Sequence, residues 1–144
     1  MTPRSPLAPA RFPALPAIDG LGLAVAASGM KYKNRDDILL MTLCKTATVA
    51  GVFTQSDTAA APVIWSRDVL VSGKAGAILT NAGNANAFTG QRGQDTVYQI
   101  SAALAGALGI SADQVLLAST GVIGEPLESD KLSAFFPQLV ADQS

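Results

Sequence analysis

The sequence predicts an α/β domain, on three observations. Runs rich in Leu, Val, Ile and Thr alternate with turn-like or charged segments through the first half of the chain, as β-strands do. Further on, Val97, Ile100, Leu104, Ala107 and Leu108 recur at helical spacing ahead of Gly109. Two short apolar runs, "GAILT" (Gly76 to Thr80) and "QVLLAS" (Gln114 to Ser119), each lead into a polar, glycine-bearing stretch. With 144 residues, 49% of them hydrophobic and 15% charged, the chain is long and apolar enough for one domain with its own core.

The elements follow in order. Five of the eight prolines fall between Met1 and Pro16, which rules out a helix there; residues 1–17 read as a disordered Pro/Ala-rich tail, and the folded part, 18–144, begins near Ile18. "LGLAVAASG", "DILLMTL" and "TATVAGVFT" read as three strands of a meander, with "KYKNRDD" as a solvated turn. "AAAPVIWSRDVL" is ambiguous, although Pro62 near its start and the spacing of Val63, Ile64 and Arg67 allow a short helix starting at Pro62, since proline suits the first helical turn. "AGAILTN" is a buried strand. The next helix carries Asp95 near its positive end and Gly109 at its C-terminal cap. After "QVLLAS", a stripe of Leu132, Phe135, Phe136, Leu139 and Val140 marks a last helix opened by Ser129, which Pro137 should kink or restart.

Composition excludes several functions. The net charge of -1, with no basic run, offers no electrostatic footprint for nucleic acid or an anionic membrane. No apolar stretch approaches the roughly 18 residues of a membrane-spanning helix. The absence of histidine removes the commonest general base, the serine–histidine and cysteine–histidine dyads and imidazole metal sites together. One cysteine, Cys44, makes neither an intramolecular disulfide nor a multi-cysteine metal site, so a reducing, cytoplasmic location is expected; in its strand-like setting Cys44 reads as a core thiol.

Two stretches carry the candidate chemistry. "NAGNANAFTG", Asn81 to Gly90, packs Asn81, Asn84 and Asn86 with two glycines behind a buried strand. Asn and Gly tolerate left-handed backbone and Asn bonds to nearby main chain, so a turn accounts for these letters; amides aimed at a neighbouring loop or substrate account for them equally. In "STGVIG", Ser119 to Gly124, the Thr120 hydroxyl and a Gly121 N–H unshielded by any Cβ form two convergent donors, the arrangement that stabilises a tetrahedral oxyanion. A structural Thr-Gly turn is the plainer alternative.

Taken together and in register, "AGVFTQSDTAAAPV", "NAGNANAFTG" and "ASTGVIGEPL" resemble the ornithine acetyltransferase, or glutamate N-acetyltransferase, family of arginine biosynthesis. Ala82 and Phe88 depart from the family's usual Ser and Cys. The resemblance implies a layered α/β sandwich like that of N-terminal nucleophile hydrolases. It also implies a precursor that cuts itself ahead of a threonine, which then carries the acetyl group from N-acetylornithine to glutamate, acetyl-CoA being a possible donor. No cofactor or metal is implied. On this resemblance Thr120 and Gly121 are the oxyanion-hole pair, and Asn81, Asn84 and Asn86 shape a loop near the active site. The nucleophile lies outside this chain, which reads as the N-terminal part of the first subunit, inactive alone and partnered by the nucleophile-bearing second subunit in a hetero-oligomer.

Other readings remain in view. An amidohydrolase or aminopeptidase of similar fold would share the nucleophile logic but release acyl groups to water, and a non-catalytic fragment would bind a partner chain through an exposed apolar face. Thr2, exposed by loss of Met1, is a poor nucleophile because Pro3 and the tail give it no pre-organised site. Trp65 is expected to anchor a hydrophobic contact. Lys31, Lys33 and Arg35 mix with Asp36 and Asp37 as a solvated turn, and the "GLG" of Gly20 to Gly22 lacks the context of a nucleotide-binding fingerprint.

Overall fold

A computed structural model describes residues 6–11, 13–45 and 47–144. Residues 6–11 and 13–17 contribute no helix or strand and are almost all exposed; the remainder of the expected tail lies outside the described residues.

The strands β1 (Leu21–Ala26), β2 (Ile38–Leu43), β3 (Ala77–Asn84) and β4 (Val115–Val122) form one sheet in the order β1-β2-β3-β4. β1, β2 and β3 pair antiparallel, and β4 lies parallel to β3. A parallel neighbour needs a crossover, supplied here by the helix α2 (Gly90–Leu108). α1 (Ala61–Val69) precedes β3, and α3 (Ser129–Ser133) and α4 (Phe136–Ala141) follow β4. α1 starts with Pro62 in its first turn, α2 is capped by left-handed Gly109, and Pro137 lies in the first turn of α4, which follows a break after α3.

The alternation of the strands puts Ala24, Ala26, Ile38, Leu40, Ala77 and Leu79 on one face, buried against Val97, Ile100 and Leu104 of α2 and Leu132, Phe136 and Leu139 of α3 and α4. On the opposite face Leu23 and Val25 are 41% and 53% exposed, and Leu39, Met41 and Ile78 are half-buried. Among the described residues, that apolar face carries no helix layer.

Four expectations need correction. "TATVAGVFT" is not a strand. Thr46 lies outside the described residues, and 47–54 contribute only an isolated bridge between Thr48 and Lys74. Val52, 99% exposed, has no sheet surface to pack on, so β propensity finds nothing to act through. The third member of the meander is instead β3. Cys44 is exposed, because β2 ends one residue earlier and the chain turns away from the core. α2 begins seven residues before Val97, its first turns being glycine-rich and outside the apolar stripe. Ser129 begins α3 without capping it: Glu128 is the cap residue, and the Ser129 hydroxyl donates to Gln99.

Candidate functional site

The two polar stretches begin inside strands, not in loops. Asn81–Asn84 belong to β3 and Ser119–Val122 to β4, and they lie side by side with Asn81 opposite Ser119, Ala82 opposite Thr120 and Gly83 opposite Gly121. Paired main chains at the same sheet end, 38 residues apart in sequence, replace the two separate turns expected.

Each asparagine amide is engaged within the chain. Asn81, 4% exposed, accepts the Ser119 hydroxyl at 2.6 Å and donates to the Asn84 carbonyl at 2.9 Å. Asn86, 1% exposed and left-handed (φ 46°), donates to the Gly93 carbonyl at 3.0 Å and accepts the Thr89 hydroxyl at 2.8 Å, tying the turn to the first turns of α2. Asn84 accepts the Asn86 N–H at 2.7 Å and donates to the Glu125 carbonyl at 3.0 Å, beyond the end of β4. Asn81 and Ser119 lie on the helix side of the sheet. By alternation Thr120 and Ala82 face the opposite, open side.

Glycine is required at the centre. Gly121 has φ 135°, and a Cβ there would lie 2.3 Å from the Gly83 carbonyl carbon and 2.6 Å from the Asn84 nitrogen. Gly83 (φ 102°) in turn meets the Lys31 side chain, where a Cβ would approach Lys31 Cβ to 2.7 Å. The loop between β1 and β2, the end of β3 and the end of β4 thus converge through two residues without side chains. Opposite this contact Asn84 pairs with both Thr120 and Val122, a bulge that alters the local twist.

The outer edge of β4 is capped over half its length. Trp65 Nε1 donates to the Val115 carbonyl at 2.8 Å; Ser66 Oγ donates to the Leu117 carbonyl at 2.8 Å and accepts the Leu117 N–H at 2.9 Å. Those main-chain groups point away from β3, whereas the Val122 carbonyl accepts the Ala85 N–H on the β3 side. The side-chain bonds from α1 stop at Leu117, short of Gly121, where a φ of 135° departs from regular strand backbone. Thr120 is exposed, and its hydroxyl has no hydrogen-bond partner among the described residues. The sheet end thus presents the exposed Thr120 hydroxyl next to the exposed main chain of Gly121.

Beside it lies a cleft of about 230 Å³ bounded by Lys31, Ala82, Asn84, Glu125 and Lys131. Lys31 and Glu125 meet at 3.4 Å across its mouth, both substantially exposed. Arg35 lies 4.5 Å over the Tyr32 ring, so the basic residues of this turn spread over separate contacts. Trp65 meets Tyr98 edge-on at 5.1 Å in addition to its bond to β4. Thr2 lies outside the described residues. No described helix is long and apolar enough to cross a membrane.

Sequence reasoning passed over Ser66, Ser119 and Gly83. Ser119 was visible beside Thr120 in "STG", but the partners of Ser66 and Gly83 lie far along the chain, and no local spacing signals them.

A sequence model of the ArgJ family matches residues 22–144. The arginine biosynthesis bifunctional protein ArgJ of Mesorhizobium japonicum is 49% identical over 138 residues, 96% of this chain and 33% of that protein. Its counterpart from Agrobacterium fabrum is 51% identical over 129 residues, 90% of this chain and 31% of the relative. The crystal structure of ornithine acetyltransferase from Mycobacterium tuberculosis, complexed with ornithine, superposes with a TM-score of 0.83 at 35% identity, covering 88% of this chain and 68% of that one. The Bacillus halodurans ArgJ structure gives 0.78 at 35% identity, over 83% and 63%. The chain therefore spans about a third of the length of the curated relatives it matches.

Proposed function

The chain belongs to the ArgJ family, and from that premise we propose that it supplies the oxyanion hole of an acetyltransferase that moves the acetyl group of N-acetylornithine to glutamate. The observation that carries the reading is the exposed Thr120 hydroxyl, without a hydrogen-bond partner among the described residues, next to Gly121 at the end of an edge strand. A threonine at the start of a second chain from the same precursor is the nucleophile. Its hydroxyl attacks the acetyl carbonyl carbon while its own α-amine takes the proton, a route that needs no histidine. The carbonyl oxygen becomes an oxyanion held by Thr120 Oγ and the Gly121 N–H. Collapse breaks the amide bond, and the departing ornithine amine takes the proton. The amine of glutamate then attacks the acetyl-threonine ester through the same oxyanion geometry, releasing N-acetylglutamate and restoring the threonine. Acetyl-CoA is an alternative acyl donor, and no metal or other cofactor enters these steps.

The open face of Leu23, Val25, Leu39, Met41 and Ile78 supports a further layer supplied by the second chain, because burying apolar area contributes about 25 cal/mol per Å². It would complete a layered sandwich with Thr120 on the buried side, in a cytoplasmic hetero-oligomer; 18–144 is then the N-terminal part of that domain and 1–17 a tail outside it. Asn81, Asn84 and Asn86 shape the turn beside the site, and their internal hydrogen bonds support that role over direct substrate binding. The test is Thr120→Ala in a full-length family protein carrying this segment. Acetyl transfer should slow by about 10²-fold or more, and an unchanged rate removes Thr120 from the mechanism. Release of acetate with no N-acetylglutamate would instead support the hydrolase reading.

A further inference from the structure

We propose that Asn84 is a positioning residue, setting the direction in which Thr120 and Gly121 present their donors. The inference rests on the oxyanion reading above and extends it to a group that touches neither substrate nor nucleophile. Asn81 and Asn86 are buried on the helix side, where they hold Ser119 and the start of α2. Asn84 alone among the three reaches the segment beyond the donors, where its Nδ2 donates to the Glu125 carbonyl at 3.0 Å. Its Oδ1 accepts the Asn86 N–H at 2.7 Å, and its own carbonyl accepts Asn81 Nδ2 at 2.9 Å. Asn84 is also the bulge residue that pairs with both Thr120 and Val122, so its main chain lies directly against Gly121. One residue thus joins the turn after β3, the bulge beneath the donor pair and the segment that leaves β4. A bulge re-aims the groups beside it, and the amide bond to Glu125 fixes the far side of the segment being aimed.

Main-chain bonds from Ala85 N–H to the Val122 carbonyl at 2.9 Å and from Gly124 N–H to the Ala87 carbonyl at 2.8 Å also join the turn to the exit of β4, and the other side-chain tie to that exit is the Lys31–Glu125 ion pair from the β1–β2 loop, 3.4 Å long and 43% and 60% exposed at its two side chains. An exposed pair of this kind holds little, since solvent screens it. Of these two side-chain ties, Asn84 is the one that joins the bulge itself to the segment leaving β4, and the main-chain bonds hold the strands together on either side of it.

The experiment measures kcat and KM for acetyl transfer in a full-length family protein carrying this segment, for Asn84→Asp, Asn84→Ala, Lys31→Ala and Thr120→Ala. Asp is isosteric and keeps the acceptor for Asn86, but it loses the donor and sets a carboxylate against the Glu125 carbonyl. Displacement of the donors by a fraction of an ångström should lower kcat about 10-fold or more, with KM changed less than about threefold, because misplacement costs the transition state and not the bound substrate. Lys31→Ala, which keeps the Cβ packed on Gly83, should stay within about twofold of the parent. If Asn84→Asp does not fold, Asn84→Ala carries the same expectation without an added charge. Parent-like kcat in both Asn84 variants alongside a slow Thr120→Ala overturns the role of Asn84 and leaves the oxyanion hole standing. Lys31→Ala as slow as the Asn84 variants also overturns it, since any tether would then serve. A Thr120→Ala enzyme at the parent rate overturns the oxyanion reading itself and this inference with it.

Discussion

Replacing Gly121 by Ala tests whether β3 and β4 approach as closely as described. The new Cβ would sit 2.3 Å from the Gly83 carbonyl carbon and 2.6 Å from both the Gly83 oxygen and the Asn84 nitrogen. All three are main-chain atoms inside the ladder, with no rotamer to change, so the strands must part by about 1 Å to restore ordinary contact, and overpacking of that kind costs about 1–3 kcal/mol. A φ of 135° adds strain that glycine does not feel, about 1–3 kcal/mol for a residue held in a sparsely populated region. The combined loss of about 2–6 kcal/mol is a large share of a stability that in domains of this size totals about 5–15 kcal/mol. Urea denaturation of parent and variant followed by circular dichroism reads it directly, with the midpoint falling and the slope unchanged. A loss below about 0.5 kcal/mol, the scatter of an ordinary surface substitution, would refute the close glycine contact and with it the placement of Gly121 opposite Gly83.

Two further substitutions probe the surroundings. Phe88, left-handed at φ 56° and 71% exposed, carries a conformational cost with little burial in return, so Phe88→Gly should raise stability by about 1 kcal/mol; a destabilised variant would mean that the ring packs on something the chain alone does not contain. Ser66→Ala strips both hydrogen bonds from buried Leu117 and should cost about 2–6 kcal/mol, two unsatisfied main-chain groups at about 1–3 kcal/mol each. A midpoint within error of the parent would show that β4 does not need this cap.

Much of the fold was legible because its signals are local. Val97, Ile100 and Leu104 form a stripe wherever the chain is read, Pro62 and Gly109 mark helix ends by their own backbone chemistry, and "GAILT" and "QVLLAS" are too apolar to lie outside a core. The failures share a cause. "TATVAGVFT" has the composition of a strand but lacks a partner edge, and Cys44 sits in an apolar run yet one residue past the end of its strand. Composition reports what a segment can do, while burial depends on what other segments leave uncovered.

The candidate site divides along the same line. Sequence by itself determined that these 144 residues supply no histidine, that Thr120 and Gly121 adjoin, and that three amides cluster after a buried strand, since these are facts of composition and adjacency. Only the tertiary structure decided which way those groups face. Parallel pairing of β3 with β4 sets Gly83 against Gly121, and α1 covers the strand edge as far as Leu117 but not at Gly121. The three amides, meanwhile, are committed to partners up to 41 residues away. Direction and occupancy of a hydrogen-bonding group depend on its neighbours in space, and along this chain those neighbours come from four separate segments brought together only when the sheet closes.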